Sequence, residues 1–391
     1  MATLILILST TACTPSLNKI DAETLLISQP TFAVSMSNSL TSIVAQQRLS
    51  PLTASRIYGY MYAAAFEAYN ESIEGEEVYN AVSAAVTVGE LFFLYQKNPT
   101  LEMDALLRRY SPNGHTKFGK KIGGLYNEKA KKDGYLESAS SPNPVVDNDL
   151  WSYEPTGIHR VPFLDSGYGE VLPLVPLSKK CELEEPNKNI MESEVREMFT
   201  SFRPEQTAEP EVLVFLSGIG TPTPPGQMLQ IAASHASDAN LDEKSALKLI
   251  ALVAISDNDA GIAAWREKRK FMIARPETVY RRLTGETINL PRDTPPHPSY
   301  PSGHSTFAGA ATSVMDKVIG IDIPLRMNVA EDQAAPSEEW VFNNTSELRG
   351  LVNWSRVRAG FHIKTDVIAG ERLGRCVGNT VYDHFKEKGW L

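Results

Sequence analysis

Three short blocks in the last third of the chain carry residue types able to surround one tetrahedral oxyanion. The first is KRKFMIARP, with Lys268 and, seven residues on, Arg275 before Pro276. The second is HPSYPSGHSTF, with Ser302, Gly303 and His304. The third is SRVRAGFHIKTD, with Ser355, Arg356, His362 and Asp366. Arginine presents a planar fork of donors that matches oxyanion oxygens, and lysine adds a point charge. With a hydroxyl, an unobstructed backbone amide and two imidazoles, the set narrows the chemistry to phosphate or its near copy, vanadate.

The elements that must position these groups follow from their spacing. Lys268 and Arg275, seven apart, fall on one face of a helix expected to end before Pro276. Trp265 lies three residues earlier on the same stripe. Ser302 and Gly303 precede a good helix opening, where backbone amides and the dipole favour an anion. Gly303 has no side chain to block the approach. His362 and Asp366, four apart on a further helix, let the carboxylate hold one ring nitrogen. The other nitrogen is then free as nucleophile or metal ligand.

Taken singly, each block has a plainer reading. Lys268 and Arg275 are surface charges, PSGH is a turn with a helix cap, and His362–Asp366 is an ordinary helical pair. Their joint presence carries the oxyanion reading. Arg358 is read as an outward or supporting charge. His115, His159, His235 and His384 are read as structural or exposed. Asp257 shares the Lys268 face at eleven residues' distance and could balance the cations, and Asp259 lies off it. A solvated helix turn is the favoured reading for both.

The constellation resembles the superfamily that joins phosphatidic acid phosphatase type 2, the bacterial class A acid phosphatases and the vanadium-dependent haloperoxidases. Its defining positions span residues 268–366. Weaker resemblance runs back through TPTPPGQM and SDNDAGIAAWREK to ASRIYGYMYAAAFEAY, in the manner of bacterial vanadium haloperoxidase-like proteins. The resemblance implies vanadate held by Lys268, Arg275, Ser302, Gly303 and Arg356. It implies His362 as the ligand to vanadium, His304 as the acid–base residue, and Trp265 and His297 as pocket residues, His297 on the halide side unless it is a plain loop histidine between prolines. The reaction implied is halide oxidation by hydrogen peroxide, with iodide or bromide expected. The alternative is a phosphohydrolase in which His362 attacks phosphorus and His304 protonates the leaving group.

The 391 residues are ample for a large core, and a net charge of −9 argues against nucleic-acid binding. No run reaches the roughly 20 apolar residues of a membrane span, so the catalytic part is expected to be soluble. The start, MATLILILSTTACTPSLNK, resembles a bacterial lipoprotein signal with Cys13 acylated, which would place the protein in the cell envelope. Cys181 and Cys376 are either bonded or two free buried thiols.

Helical periodicity dominates, and an all-α fold is expected, with bundled helices around an anion site near the C-terminal part. The expected divisions are a signal at 1–13, an N-terminal helical part at 20–240 and a catalytic part at 241–391, the last two continuous. Residues 137–190 read as a long ordered excursion, 191–217 as helix, 241–274 as a long helix and 277–300 as loop. A helix is expected at about 303–319, partly loop at 320–354 and helix at 362–387. GTPTPPG at 220–226 is read as irregular, at the pocket mouth. Gly370, Gly374 and Gly378 form a ridge for close helix approach.

Overall fold

The longest helix among the described residues runs through the core of the compact unit. Asp242 caps it by accepting from Ser245 N at 2.8 Å, and the helix runs over Glu243–Phe271. From Ala246 to Trp265 its residues are almost all buried, so it is enclosed on every side. The computed structural model describes residues 30–94, 96–146, 149–155, 162–329 and 338–391; the proposed acylation site at Cys13 and His159 lie outside them.

In chain order the helices are α1 (Phe32–Gln46), α2 (Pro51–Asn70), α3 (Glu77–Phe92), α4 (Lys97–Tyr110), α5 (Lys117–Lys131) and α6 (Tyr135–Ser138). Then come α7 (Lys188–Thr200), α8 (Pro210–Leu213), α9 (Thr223–Asp238), α10 (Glu243–Phe271) and α11 (Pro276–Thr284). The last are α12 (Gly303–Val318), α13 (Thr345–Arg358) and α14 (Lys364–Glu387). Strands β1 (Leu325–Val329) and β2 (Glu338–Phe342) pair antiparallel, with Leu325 opposite Phe342 and Met327 opposite Trp340. The fold is all-α with this one small hairpin.

Helix α10 joins two hydrophobic cores. Its first half packs with α1, α2 and α9. Its second half, from Ala260 to Trp265, packs with α12, α14 and the 150–183 segment. Residues 31–391 form one compact unit.

Helices α12 and α14 meet along the glycine ridge. A Cβ on Gly370, Gly374 or Gly378 would collide with the carbonyl of Ser302, Thr306 or Ala310, respectively. Only glycine allows backbone to approach backbone this closely, and the contact fixes where the N-terminus of α12 sits.

Several expected boundaries move. Pro276 does not close a helix; it opens α11 at the N-terminal position where its missing N–H costs nothing, so 276–284 is helical rather than loop. TPTPPG likewise leads into α9, with prolines in its first turn. Residues 345–358 form α13, while 191–217 break into α7 and α8. Within the excursion, residues 151–153 are tied by backbone bonds to the α10–α11 connection. Tyr153 N donates to Met272 O, and Ala274 N to Trp151 O, both at 2.7 Å.

Candidate anion site

Helix α10 ends three residues after Lys268, and Met272 takes a left-handed φ of 47° as its cap. The chain turns there, and Arg275 becomes the N-cap of α11. The expectation that Lys268 and Arg275 share a helix face is therefore wrong, because a bend, not a helical repeat, brings them together. Both are fully buried. Lys268 Nζ donates to the carbonyls of Pro298 at 2.6 Å, Ser299 at 3.1 Å and Pro301 at 2.5 Å, pinning the loop that leads into α12. Arg275 donates to His297 O at 2.8 Å, Phe361 O at 2.8 Å and Pro295 O at 3.1 Å. Its Nη1 also lies 3.1 Å from His362 Nε2.

His362 precedes α14 rather than riding on it, and Asp366 sits in that helix's first turn. The expected pairing nevertheless forms, with His362 Nδ1 at 3.2 Å from Asp366 Oδ2. A carboxylate acceptor at Nδ1 and an arginine donor at Nε2 put the ring proton on Nδ1. The Nε2 lone pair then points toward the cations. Ser299 was missed in the sequence. Its hydroxyl donates to Asp366 Oδ2 at 2.6 Å and lies 3.4 Å from His362 Nδ1. A serine inside a proline-rich loop has no periodic signal to mark it.

Ser302 caps α12 and accepts from Ser305 Oγ at 2.9 Å, while its own N–H donates to Asp366 O at 3.0 Å. Gly303 begins the helix, so its amide has no acceptor within the helix. A Cβ there would stand 3.4 Å from the Trp265 ring. Trp265 is held by its indole N–H donating to Leu164 O at 3.1 Å. Its ring lies 4.9 Å from that of His297 and 5.7 Å from Lys268 Nζ. His297 is fixed in turn by Arg275 Nη2 at 3.0 Å from its Nδ1. His304 lies against the Leu216 backbone, and its buried Nε2 has no partner among the described residues. Arg356, from the last turn of α13, donates to Phe215 O, and its buried Nε has no partner among the described residues. Phe215 and Leu216 were also missed; they are backbone acceptors, which sequence does not reveal.

Burial governs the electrostatics. The imidazoles of His297, His304 and His362 are held well below their usual range, first by desolvation and then by the neighbouring cations. Desolvation pushes Asp366 up to about 6 against its hydrogen bonds. It lowers Lys268 and Arg275, and it brings Arg356 down to about 9, still charged at neutral pH. Three buried cations face Asp366 and, beside Arg275, Glu277. A buried excess of positive charge is costly unless an anion offsets it.

The remaining expectations divide. Arg358 is outward, paired with Glu209. The solvated-turn reading of Asp257 and Asp259 fails, because both are buried within α10. Asp259 accepts from Leu174 N at 2.8 Å and Val175 N at 2.9 Å, anchoring the excursion. Neither oxygen of Asp257 has a partner among the described residues. Cys181 and Cys376 form a disulfide that ties the excursion to α14.

Residues 286–388 match the family model of the VCPO second helical-bundle domain. A vanadium chloroperoxidase from Curvularia inaequalis is 39% identical over a 79-residue alignment, covering 16% of this chain and 13% of that one. The match thus spans a small fraction of that relative's length. The crystal structure of a bacterial vanadium-dependent iodoperoxidase superposes with a TM-score of 0.72 at 21% identity, covering 90% of this chain and 95% of the other. That of a holo-type bacterial vanadium-dependent chloroperoxidase gives 0.67 at 15% identity, covering 87% and 93%. The fold of these structures is thus shared over most of the chain, and the stretch that matches the VCPO second helical-bundle domain contains Ser302, Gly303, His304, Arg356 and His362.

Proposed function

We propose that the protein is a vanadate-dependent haloperoxidase that converts hydrogen peroxide, halide and a proton to hypohalous acid and water. The observation that carries this reading is the unprotonated His362 Nε2 directed among Lys268, Arg275 and Arg356. The residues present fit the cofactor. Two buried polar atoms of the cluster, His304 Nε2 and Arg356 Nε, have no partner among the described residues, and the buried charge is in excess. Vanadate would be held by Lys268, Arg275, Ser302, Gly303 and Arg356, with His362 Nε2 as the one ligand to the metal. When bound, it supplies a Lewis-acidic centre that activates peroxide for attack by halide.

The chain's own residues do the rest. Asp366 and Ser299 hold the His362 tautomer. The start of α12 and the two arginines offset oxyanion charge without reorganising. Lys268 contributes charge while bracing the 298–301 loop; direct donation to an oxyanion would replace one of its three carbonyl bonds. His304 Nε2 takes and returns the peroxide proton. Trp265 and His297 wall the side where halide would approach, and the iodoperoxidase fold neighbour supports iodide, with bromide next, as the oxidised ion.

The competing phosphohydrolase would use His362 Nε2 as nucleophile. A paired assay of the purified protein separates them: vanadate, peroxide and iodide or bromide in one arm, a phosphate monoester without vanadate in the other. Phosphatase turnover with no vanadate-dependent halide oxidation would overturn the proposal. We further propose export as a lipoprotein acylated at Cys13. The Cys181–Cys376 disulfide supports an oxidising compartment, and mass spectrometry of the native N-terminus tests it.

A further inference from the structure

Helices α4 and α5 and the turn between them, residues 97–132, hold nine Lys and Arg against three Asp and Glu. That is a net +6 within a chain of net −9, which leaves −15 for the rest. Arg108, Arg109, Lys117, Lys120, Lys121, Lys131 and Lys132 are all exposed. Among the described residues the first five form no ion pair, while Lys131 and Lys132 share Glu128. Lys117, Lys120 and Lys121 begin α5, which has no acid in its first turn. The positive end of the helix dipole disfavours cations there, so helix stability does not account for the placement.

Apolar groups interrupt the charge. Lys117, Lys121 and Leu125 follow one another at four-residue steps on one stripe, and Leu125 is 55% exposed. Lys117, Lys121 and Phe118 line a cavity of about 800 Å³ with the exposed Tyr79 at its side and Glu76 as its acid. The start of the compact unit lies against the same turn. Ser35 Oγ is 2.6 Å from Tyr110 OH, and the Phe32 ring is 5.7 Å from the Tyr110 ring. Tyr110 ends α4 next to Arg109, so Phe32 and Ser35 of α1 lie beside the basic patch.

We propose that this α4–α5 face docks on the anionic phospholipid surface of a membrane. Basic side chains near an anionic leaflet are attracted to it, and a tyrosine and a leucine among them suit the interface. The remaining net −15 is repelled, so the charge distribution also sets an orientation. A nucleic acid would match the charge but not the apolar stripe. The proposal is independent of the vanadate reading.

The test uses the full chain with Cys13→Ser, so that no acyl group contributes. It is co-sedimented with phosphatidylcholine vesicles with and without phosphatidylglycerol. Binding is expected only with phosphatidylglycerol and should vanish at high salt, where screening is short-ranged. Lys117→Glu/Lys120→Glu/Lys121→Glu should weaken it on the order of 100-fold, with unchanged circular dichroism; the corresponding glutamine variant should fall between. Lys179→Glu/Lys180→Glu, outside the patch, should bind as the parent. Equal binding to neutral vesicles, undiminished binding by the triple variant, equal loss in the outside variant, or tighter binding to polyuridylate than to the anionic vesicles would each overturn the proposal.

Discussion

Asp366 holds His362 from below: its Oδ2 is 3.2 Å from Nδ1 and also accepts from Ser299 Oγ at 2.6 Å. One carboxylate oxygen thus fixes a ring proton while being fixed itself, and the opposite nitrogen is left bare among cations. This relay of orientation, not the histidine alone, makes Nε2 available.

Asp366→Asn should therefore weaken vanadate binding about 10- to 100-fold, measured by equilibrium dialysis. His362→Ala should abolish it. His304→Ala should keep weakened binding and lose about 10²- to 10⁴-fold in turnover. Wild-type vanadate affinity in His362→Ala would show that the metal ligand lies elsewhere.

His297→Phe should alter halide preference. The imidazole is kept neutral by burial and by Lys268 and Arg275, and it packs at a tilt against Trp265. A phenyl ring would leave a drier wall, in which electrostatic activation is stronger. The wild type is expected to oxidise iodide and bromide with little chloride turnover, and the variant to shift toward bromide and chloride. Steady-state rates with the three halides at one pH decide it; efficient chloride turnover by the wild type, or an unchanged ratio in the variant, counts against the role.

Gly374→Ala should destabilise the fold by about 3 kcal/mol. Its Cβ would strike the Thr306 carbonyl and stand 2.8 Å from Ala310 N, backbone atoms that cannot swing aside. Because α12 must retreat, Ser302 and Gly303 move with it, and anion affinity should fall together with the melting temperature. Retained stability would show that the two helices are not locked by this contact.

Stability should carry a signature of Asp259. Burial pushes its carboxyl up to about 6, against the hydrogen bonds from Val175, Leu174 and Asn258. In the unfolded chain it titrates near 3.9. Between those values the folded protein holds a proton that the unfolded chain lacks, so this group adds stability as pH falls from 7 toward 4. Above pH 6 the desolvation cost is felt in full. The span corresponds to about 3 kcal/mol. Asp259→Asn removes the titration, so the wild type should gain on the variant between pH 7 and 5 in urea midpoints. A flat or shrinking difference would show that the carboxyl is not raised.

The sequence by itself determined the class of fold and the residue types that gather at the anion site. Residue type and order were enough for the cations, the α12 opening, the His362–Asp366 pairing and the glycine ridge, because each is a local pattern of period or cap. Helical periodicity was enough for the all-α architecture and for α10. The tertiary structure decided what local patterns do not encode. The turn at Met272, not a helix face, brings Arg275 to Lys268. Ser299 reaches Asp366 across 67 residues of chain, and the Phe215 and Leu216 carbonyls reach Arg356 and His304 across longer intervals. The Cys181–Cys376 bond spans 195 residues. Asp257 and Asp259 read as solvated because carboxylates usually are, and only the enclosure of α10 by both cores shows them buried. Such contacts depend on where separate elements come to rest, and that is set by packing over the whole chain rather than by any short stretch of it.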